Sequence, residues 1–287
     1  HNPSYTDIMP SVYLPDAFDA NKTVAIIAGK SNYPQRMAER MQKAGIINRL
    51  IGFEGETKRE LIDSFPEKYR RILKVGQLGK LLHTLQDFDA KYAVMAGQIT
   101  PGKLFRGLHP DLKALNILSK LKERNAETLF GAICQEIESL DIRMLDARAF
   151  MDEDMAENTE MTGIKTKCDE TTLQQGIQTA RLLARENIGQ GLVISRGTIL
   201  AVEAFEGTDA MLQRAGQFKA KHALFVKTIN PQQDTRFDIP LFGPQTLETM
   251  KNAGIENAAL EANKVLILDK QDVLKQARKA GIRILGF

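Results

Sequence analysis

The chain has 287 residues, 43% hydrophobic and 26% charged, a composition that places it with ordinary globular proteins and excludes extensive disorder. Its 39 basic and 36 acidic side chains leave a net charge of +3, and the two signs are interleaved, which excludes the concentrated basic surface of a nucleic-acid binder. The two cysteines, Cys134 and Cys168, have neither CxxC spacing nor nearby histidines, so neither a zinc site nor a disulfide framework is expected.

The length exceeds a usual single core and predicts two domains. After a lead-in carrying Pro3, Pro10 and Pro15, the apolar run Thr23 to Ala28 ends at Gly29 and meets a helical pattern with Met37, Ala38, Met41 and Ala44. That reads as strand, glycine turn, helix. Ile46 to Gly52 is a second strand, and Gly76 opens a helix with Leu78, Leu81, Leu82, Leu85 and Phe88 on one face. Tyr92 to Ala96 is a third strand. Two helices follow, one with Leu112, Leu115, Leu118 and Leu121, the next with Leu129, Ala132, Ile133 and Ile137, before a strand at Ile142 to Leu145. The alternation predicts a parallel sheet covered by helices, a Rossmann-like N-terminal domain over 1–150.

Apolar periodicity then fades through D-E-D-M-A-E-N-T-E, Gly163 and Lys165-Thr166-Lys167, which predicts a linker at 151–168. The remaining 169–287 begins with a helix (Leu173, Ile177, Ala180, Leu183). Leu192 to Ser195 and Thr198 to Val202 follow, joined by Arg196-Gly197 at hairpin spacing. Helices after Thr208, from Pro244 and from Lys270 alternate with strands at His222 to Lys227, Val265 to Leu268 and Ile282 to Leu285. The fold class is α/β, with a Rossmann-like domain followed by a mixed, partly antiparallel α/β domain carrying the candidate catalytic acids. No stretch approaches the roughly 18 consecutive apolar residues of a membrane span, and the start lacks the plan of a signal peptide. A reducing, cytoplasmic setting is expected, with any membrane contact peripheral.

Chemistry concentrates in two regions. In the first half, Gly29 and Lys30 follow the first strand, Gly76, Gly79 and Lys80 stand at a helix start, and Gly97 ends the third strand. Open α/β sheets bind anions at these places. The first turn is neither G-x-G-x-x-G nor a Walker loop, and glycine turns that allow close helix packing explain the same residues. In the second half, Glu203, Glu206, Gly207, Thr208, Asp209, Lys227, Asp234, Arg236 and Asp238 crowd into forty residues, a density of carboxylates and cations suited to divalent-metal and phosphate chemistry. Structural alternatives stay open: Thr208 and Asp209 as a helix N-terminus, and Asp234, Arg236 and Asp238 as a salt-bridge ladder, all on one side of an extended segment opposite Thr235 and Phe237. His83, His109 and His222 have no acid or thiol partner readable from sequence, and Ser31 and Ser195 lack a nucleophile elbow.

The run A-V-E-A-F-E-G-T-D-A-M-L-Q-R-A-G at 201–216, preceded by Ile188-Gly189-Gln190-Gly191 and followed by Lys227 and Q-D-T-R-F-D-I-P-x-x-G-P, closely resembles the LpxI family of UDP-2,3-diacylglucosamine pyrophosphatases. The likeness extends through Ile26-Ile27-Ala28-Gly29, the Gly76 to Lys80 turn and Ala96-Gly97. It implies hydrolysis of UDP-2,3-diacylglucosamine to UMP and 2,3-diacylglucosamine 1-phosphate in lipid A synthesis, with Mg²⁺, or Mn²⁺ as the alternative. It also implies a lipid-linked sugar-nucleotide substrate met at the inner-membrane surface; a homodimer is left open. The family's essential aspartate falls on Asp238. Asp238, Asp209 and Glu206 are the expected catalytic acids, Asp238 and Asp209 also the expected metal ligands, and Gln190, Glu203, Gly207, Thr208, Lys227 and Arg236 accompany Gly29, Lys30, Gly76, Gly79, Lys80 and Gly97 as expected substrate contacts. Two departures stand out: the family's A-G-G-G turn is here Ala28-Gly29-Lys30-Ser31, and its G-D-D is Asn125-Ala126-Glu127. A binder that has kept the fold without the chemistry is therefore the rival reading, and a nicotinamide oxidoreductase is disfavoured by the missing dinucleotide fingerprint.

Overall fold

A computed structural model of the protein describes residues 10–99, 110–165 and 168–287. Pro3, His109, Thr166 and Lys167 lie outside the described residues. The chain forms two compact α/β units, the first running to Asp152 and taking in Asp234–Asp238, the second made of Glu153–Gln233 and Ile239–Phe287.

The first unit is built on the fully buried strand β1 (Val24–Ala28), whose sequence VAIIA is apolar on both faces, as a strand covered by helices on both sides must be. Around it the parallel order is β3-β2-β1-β4-β5, with β2 at Asn48–Phe53, β3 at Arg70–Leu73, β4 at Tyr92–Ala96 and β5 at Arg143–Met144. The order of strands reverses between β1 and β4, which run parallel with their carboxyl ends in register at Ala28 and Ala96. Helix α1 (Tyr33–Lys43) starts with Pro34 in its first turn, where the missing N–H costs nothing. After α2 (Arg59–Ser64), α3 (Leu78–Asp87) follows Gly76, whose φ of 99° turns the chain into it. Asp111 caps α4 (Leu112–Lys120), and Asn125 with Thr128 forms a reciprocal capping box on α5 (Ala126–Glu138). Ile27, Ile51, Leu81, Leu85, Ile133 and Ile137 lie in one core.

The second unit has a mixed sheet in the order β12-β10-β8-β6-β7. Strands β8 (Leu224–Lys227), β10 (Asn257–Leu260) and β12 (Arg283–Gly286) are parallel, while β6 (Gly191–Ser195) runs antiparallel to β8 and to β7 (Thr198–Val202). The β6–β7 turn is Arg196-Gly197, with φ of 47° and 80°, the two positive values that a primed two-residue hairpin turn requires. Helices α6 (Glu170–Arg185), α7 (Thr208–Gly216), α8 (Pro244–Ala253) and α9 (Lys270–Ala280) complete the unit, and β9 (Leu241–Phe242) pairs with β11 (Leu266–Ile267) as a small second sheet. Residues 153–165, expected within a linker, belong to this unit: Met155 bridges to Leu266, Glu160 bridges to Leu285, and the buried Lys270 ammonium reaches the carbonyls of Glu153 and Met155 and the carboxylate of Glu157.

Candidate functional site

In the first unit the loops that follow β1 and β4 touch at the topological switch point. The Gly29 N–H donates to the Ala96 carbonyl at 2.7 Å and the Lys30 N–H to the Gln98 carbonyl at 2.9 Å. A Cβ on Gly29 would lie 2.5 Å from the Gln98 carbonyl oxygen, and one on Gly97, whose φ is 83°, would lie 2.3 Å from that of Lys30. Both glycines are thus required by backbone approach. Above them opens a cavity of about 470 Å³ walled by Ile27, Leu81, Met95, Phe130, Ile133 and Phe237 among others, with Lys30, Gly76, Gly97, Glu127 and Asp238 contributing to its lining. Lys30 pairs at 3.4 Å with Glu56, whose side chain is fully buried. Gly79 stands in the first turn of α3, and its N–H donates to Asp111 Oδ2 at 2.8 Å. Lys80 is exposed and is not among the lining residues.

The segment Asp234–Asp238 is a turn, not the extended run that the alternation of charges suggested. The Phe237 and Asp238 amides both donate to the Asp234 carbonyl, at 3.3 and 3.0 Å, which no ladder of one-sided charges allows. The side chain of Asp234 accepts from the Arg236 amide and grips its guanidinium, with Nη2 to Oδ2 at 2.7 Å, while Nη1 lies 3.2 Å from Glu138. Arg236 is therefore engaged by two carboxylates of its own unit. The hydrogen bond from Arg236 holds the Asp234 carboxyl below its usual range. The same bond, received by Asp234, raises the guanidinium further. Thr235 fastens the turn, its hydroxyl donating to Asp146 Oδ2 at 2.8 Å and its carbonyl accepting from Ala147 at 2.8 Å. Phe237 then stacks on Phe130, with centroids 5.7 Å apart, and exposed Asp238 stands beside the cavity.

In the second unit the sequence-predicted residues share one edge of the sheet. Parallel β8 and β10 end there, and antiparallel β6 begins there, so Gly191 is in register with Lys227 and Lys227 with Leu260. Gln190 and Gln233 hydrogen-bond through their side chains, and the Thr228 amide donates to the Gln190 carbonyl at 2.9 Å. The Thr208 hydroxyl donates to Glu203 Oε2 at 2.9 Å. Gly207, with φ of 87°, is the N-cap of α7, and in its first turn the Oδ1 of Asp209 is buried without a hydrogen-bond partner. Lys227 is 7% exposed and its ammonium donates to the Leu241 carbonyl at 2.7 Å. Glu206 is bound by Arg214, and that hydrogen bond lowers its pKa, which suits a charged clamp better than a base.

The structure therefore gathers Gly29, Lys30, Gly76, Gly97 and Asp238 about the cavity of the first unit, and Gln190, Glu203, Gly207, Thr208, Asp209 and Lys227 along one edge of the second. Sequence reasoning missed Phe130 and Phe237 as cavity walls and Glu56 as the partner of Lys30. It also missed Glu261, which accepts from the buried Thr228 hydroxyl and lies 3.2 Å from the Ile229 amide. Helical spacing marked Phe130 only as a neighbour of core Leu129, and nothing local marks the other three. Among the described residues no group of three or more His, Cys, Asp or Glu is gathered as for a metal ion. The oxygen donors present still suit Mg²⁺, which commonly takes one or two protein carboxylates and completes its shell with water and substrate phosphate.

Profiles of known families match both halves of the chain, the LpxI N-terminal domain over 23–153 and the LpxI C-terminal domain over 157–285. A protein of Caulobacter vibrioides named UDP-2,3-diacylglucosamine pyrophosphatase LpxI is 26% identical over 280 residues, covering 92% of this chain and 97% of its own. Among solved structures, CobK precorrin-6A reductase is matched over 93% of this chain and 87% of its own, at 13% identity and a TM-score of 0.28, a superposition too poor to carry any argument. With both domain profiles matched in order and nearly end to end, the chain belongs to the LpxI family.

Proposed function

We propose that this protein hydrolyses the phosphoanhydride of UDP-2,3-diacylglucosamine, releasing UMP and 2,3-diacylglucosamine 1-phosphate. The observation that carries the reading is Asp238, an exposed carboxylate set by a short turn beside a cavity at the switch point of a parallel sheet, where α/β proteins bind ligands. Family membership and the name of the Caulobacter relative supply the substrate.

Adding water across a P–O–P bond places one new oxygen on phosphorus and releases a proton. The diphosphate repels a nucleophile, so the site must offset negative charge and position the water. Asp238 is proposed to orient or deprotonate that water. Lys30 offers a cation beside the same cavity, held towards the buried Glu56. Each unit offers a proposed hard-oxygen donor suited to Mg²⁺, or to Mn²⁺: Asp238 in the first, and in the second Asp209 with its unpartnered carboxylate oxygen. When bound, the ion would neutralise phosphate charge and activate the leaving group. Gln190, Glu203, Gly207, Thr208 and Lys227 are proposed to hold the substrate from the second unit. Arg236 and Glu206 are proposed as positioning residues, since each is bound to a partner in its own unit. No helix among the described residues is long and apolar enough to cross a membrane, and the lipid substrate is proposed to be met at a membrane surface by peripheral contact, from the cytoplasmic side.

The test is UMP release from UDP-2,3-diacylglucosamine in detergent, with Mg²⁺ and with chelator, for wild type beside Asp238→Ala. Metal-dependent release that falls by about 10²-fold or more in a variant of unchanged fold is the expected result. A folded wild type that releases no UMP overturns the reading in favour of a binding role.

A further inference from the structure

The cavity of the first unit stands where doubly wound folds place a pyrophosphate, yet its chemistry is wrong for one. Its inner walls are the side chains of Ile27, Leu81 and Ile133, each 5% exposed or less, with Met95 and the stacked pair Phe130 and Phe237 beside them. Three backbone donors at the loops where such folds grip a phosphate are already committed here. The Gly29 and Lys30 amides donate to the carbonyls of Ala96 and Gln98, and the Gly79 amide at the start of α3 donates to Asp111. The Asp111 carboxylate puts a negative charge on the helix end that would otherwise attract an anion. The charged lining groups Lys30, Glu127 and Asp238, with the neutral Gln98, are all exposed and so belong to the opening, and two of the three charges are acids.

We infer that this cavity is a sleeve for one acyl chain of the lipid substrate and not a nucleotide cradle. The inference rests on the proposed substrate, which carries two such chains, and it assigns the first unit to lipid recognition. The volume of about 470 Å³ lies within the range of small-ligand sites, roughly 300–1,000 Å³. Phe237 closes the sleeve from the same turn that presents Asp238, so seating the chain and placing the carboxylate beside the head group are coupled through one residue step.

The experiment is displacement of a fluorescent fatty acid by a homologous series of saturated fatty acids, without detergent, on the full chain. Wild type is expected to gain about fourfold in affinity per added methylene, the equivalent of about 0.8 kcal/mol, until the sleeve is full, and then to level off. Met95→Trp, which narrows the sleeve, is expected to move that plateau to shorter chains and weaken long ones about tenfold or more. Phe130→Ala, which opens it, is expected to move the plateau to longer chains. Opposite shifts from two variants keep the test valid if one of them fails to fold. Absence of chain-length dependence in wild type, equal effects on all lengths in the variants, or displacement of the probe by UMP would overturn the inference. The readout needs no turnover: a wild type that binds the series but releases no UMP sinks the proposed reaction and leaves the sleeve standing, while UMP release without chain-length dependence does the reverse.

Discussion

Asp234, one of the charges crowded into the second half of the sequence, fastens a turn by holding Arg236. Its carboxyl is lowered by the hydrogen bond from Arg236, so its contribution to stability is present above its unfolded value, near 3.8, and is lost as pH falls through the lower folded value. Asp234→Asn should therefore narrow its stability gap from wild type when urea unfolding is repeated below about pH 4; an unchanged gap would mean the pair is decorative. Cys134 makes a second residue-scale case. It is fully buried on α5, and burial pushes its thiol up to about 12. Since the thiolate is the reactive form, Cys134 should resist alkylation at pH 8 until the chain unfolds, with modification of the folded protein confined to Cys168 as read by mass spectrometry.

At the scale of elements, the glycines divide into those that relieve strain and those that allow contact. Gly45 has φ of 73° with nothing within 4 Å of a built Cβ, so Gly45→Ala should cost only the left-handed penalty, about 1–2 kcal/mol. Gly97 shares the positive φ but would also drive a Cβ to 2.3 Å from a backbone oxygen, and Gly97→Ala should cost clearly more, about 3 kcal/mol or above, in the same denaturant series. Similar losses for the two would show that the β1 and β4 loops can separate freely. The capping box on α5 is a smaller lever: Asn125→Ala should cost about 1 kcal/mol. Periodicity revealed β1, β4 and the β6–β7 hairpin because their apolar residues are contiguous or alternate cleanly. It missed β3, whose Arg70 and Arg71 sit on a sheet edge, and β10, whose Asn-Ala-Ala-Leu carries no β-branched or aromatic residue although every position is buried between β8 and β12.

At the scale of the whole molecule the first unit is discontinuous in sequence, since the turn carrying Asp238 returns to it after the 81 residues Glu153–Gln233 spent in the second unit. A chain cut after Asp152 keeps the five parallel strands but lacks the Phe237 wall. Such a fragment should retain far-UV circular dichroism of an α/β unit while binding the fatty-acid probe at least about tenfold more weakly than the full chain. Equal affinity would remove Phe237 from the account of the cavity. The division also separates the carboxylates that the sequence placed in a single domain: Asp238 belongs with Lys30 and the switch-point loops, while Glu203, Glu206 and Asp209 lie on the second unit.

By itself the sequence determined the α/β class, the order of most elements, the hairpin turn and the family, because contiguous apolar runs, helical spacing, turn glycines and the E-G-T-D and R-F-D motifs are local properties of the chain. Only the tertiary structure decided what those motifs touch. Phe130 and Phe237 are more than a hundred positions apart and meet because a turn folds back on α5; Arg236 is spent on Asp234 and Glu138; the Gly79 amide is taken by Asp111 from thirty-two residues away. Hydrogen-bond donors and apolar walls acquire a function from what remains unsatisfied or uncovered after packing, and that remainder depends on contacts remote in sequence.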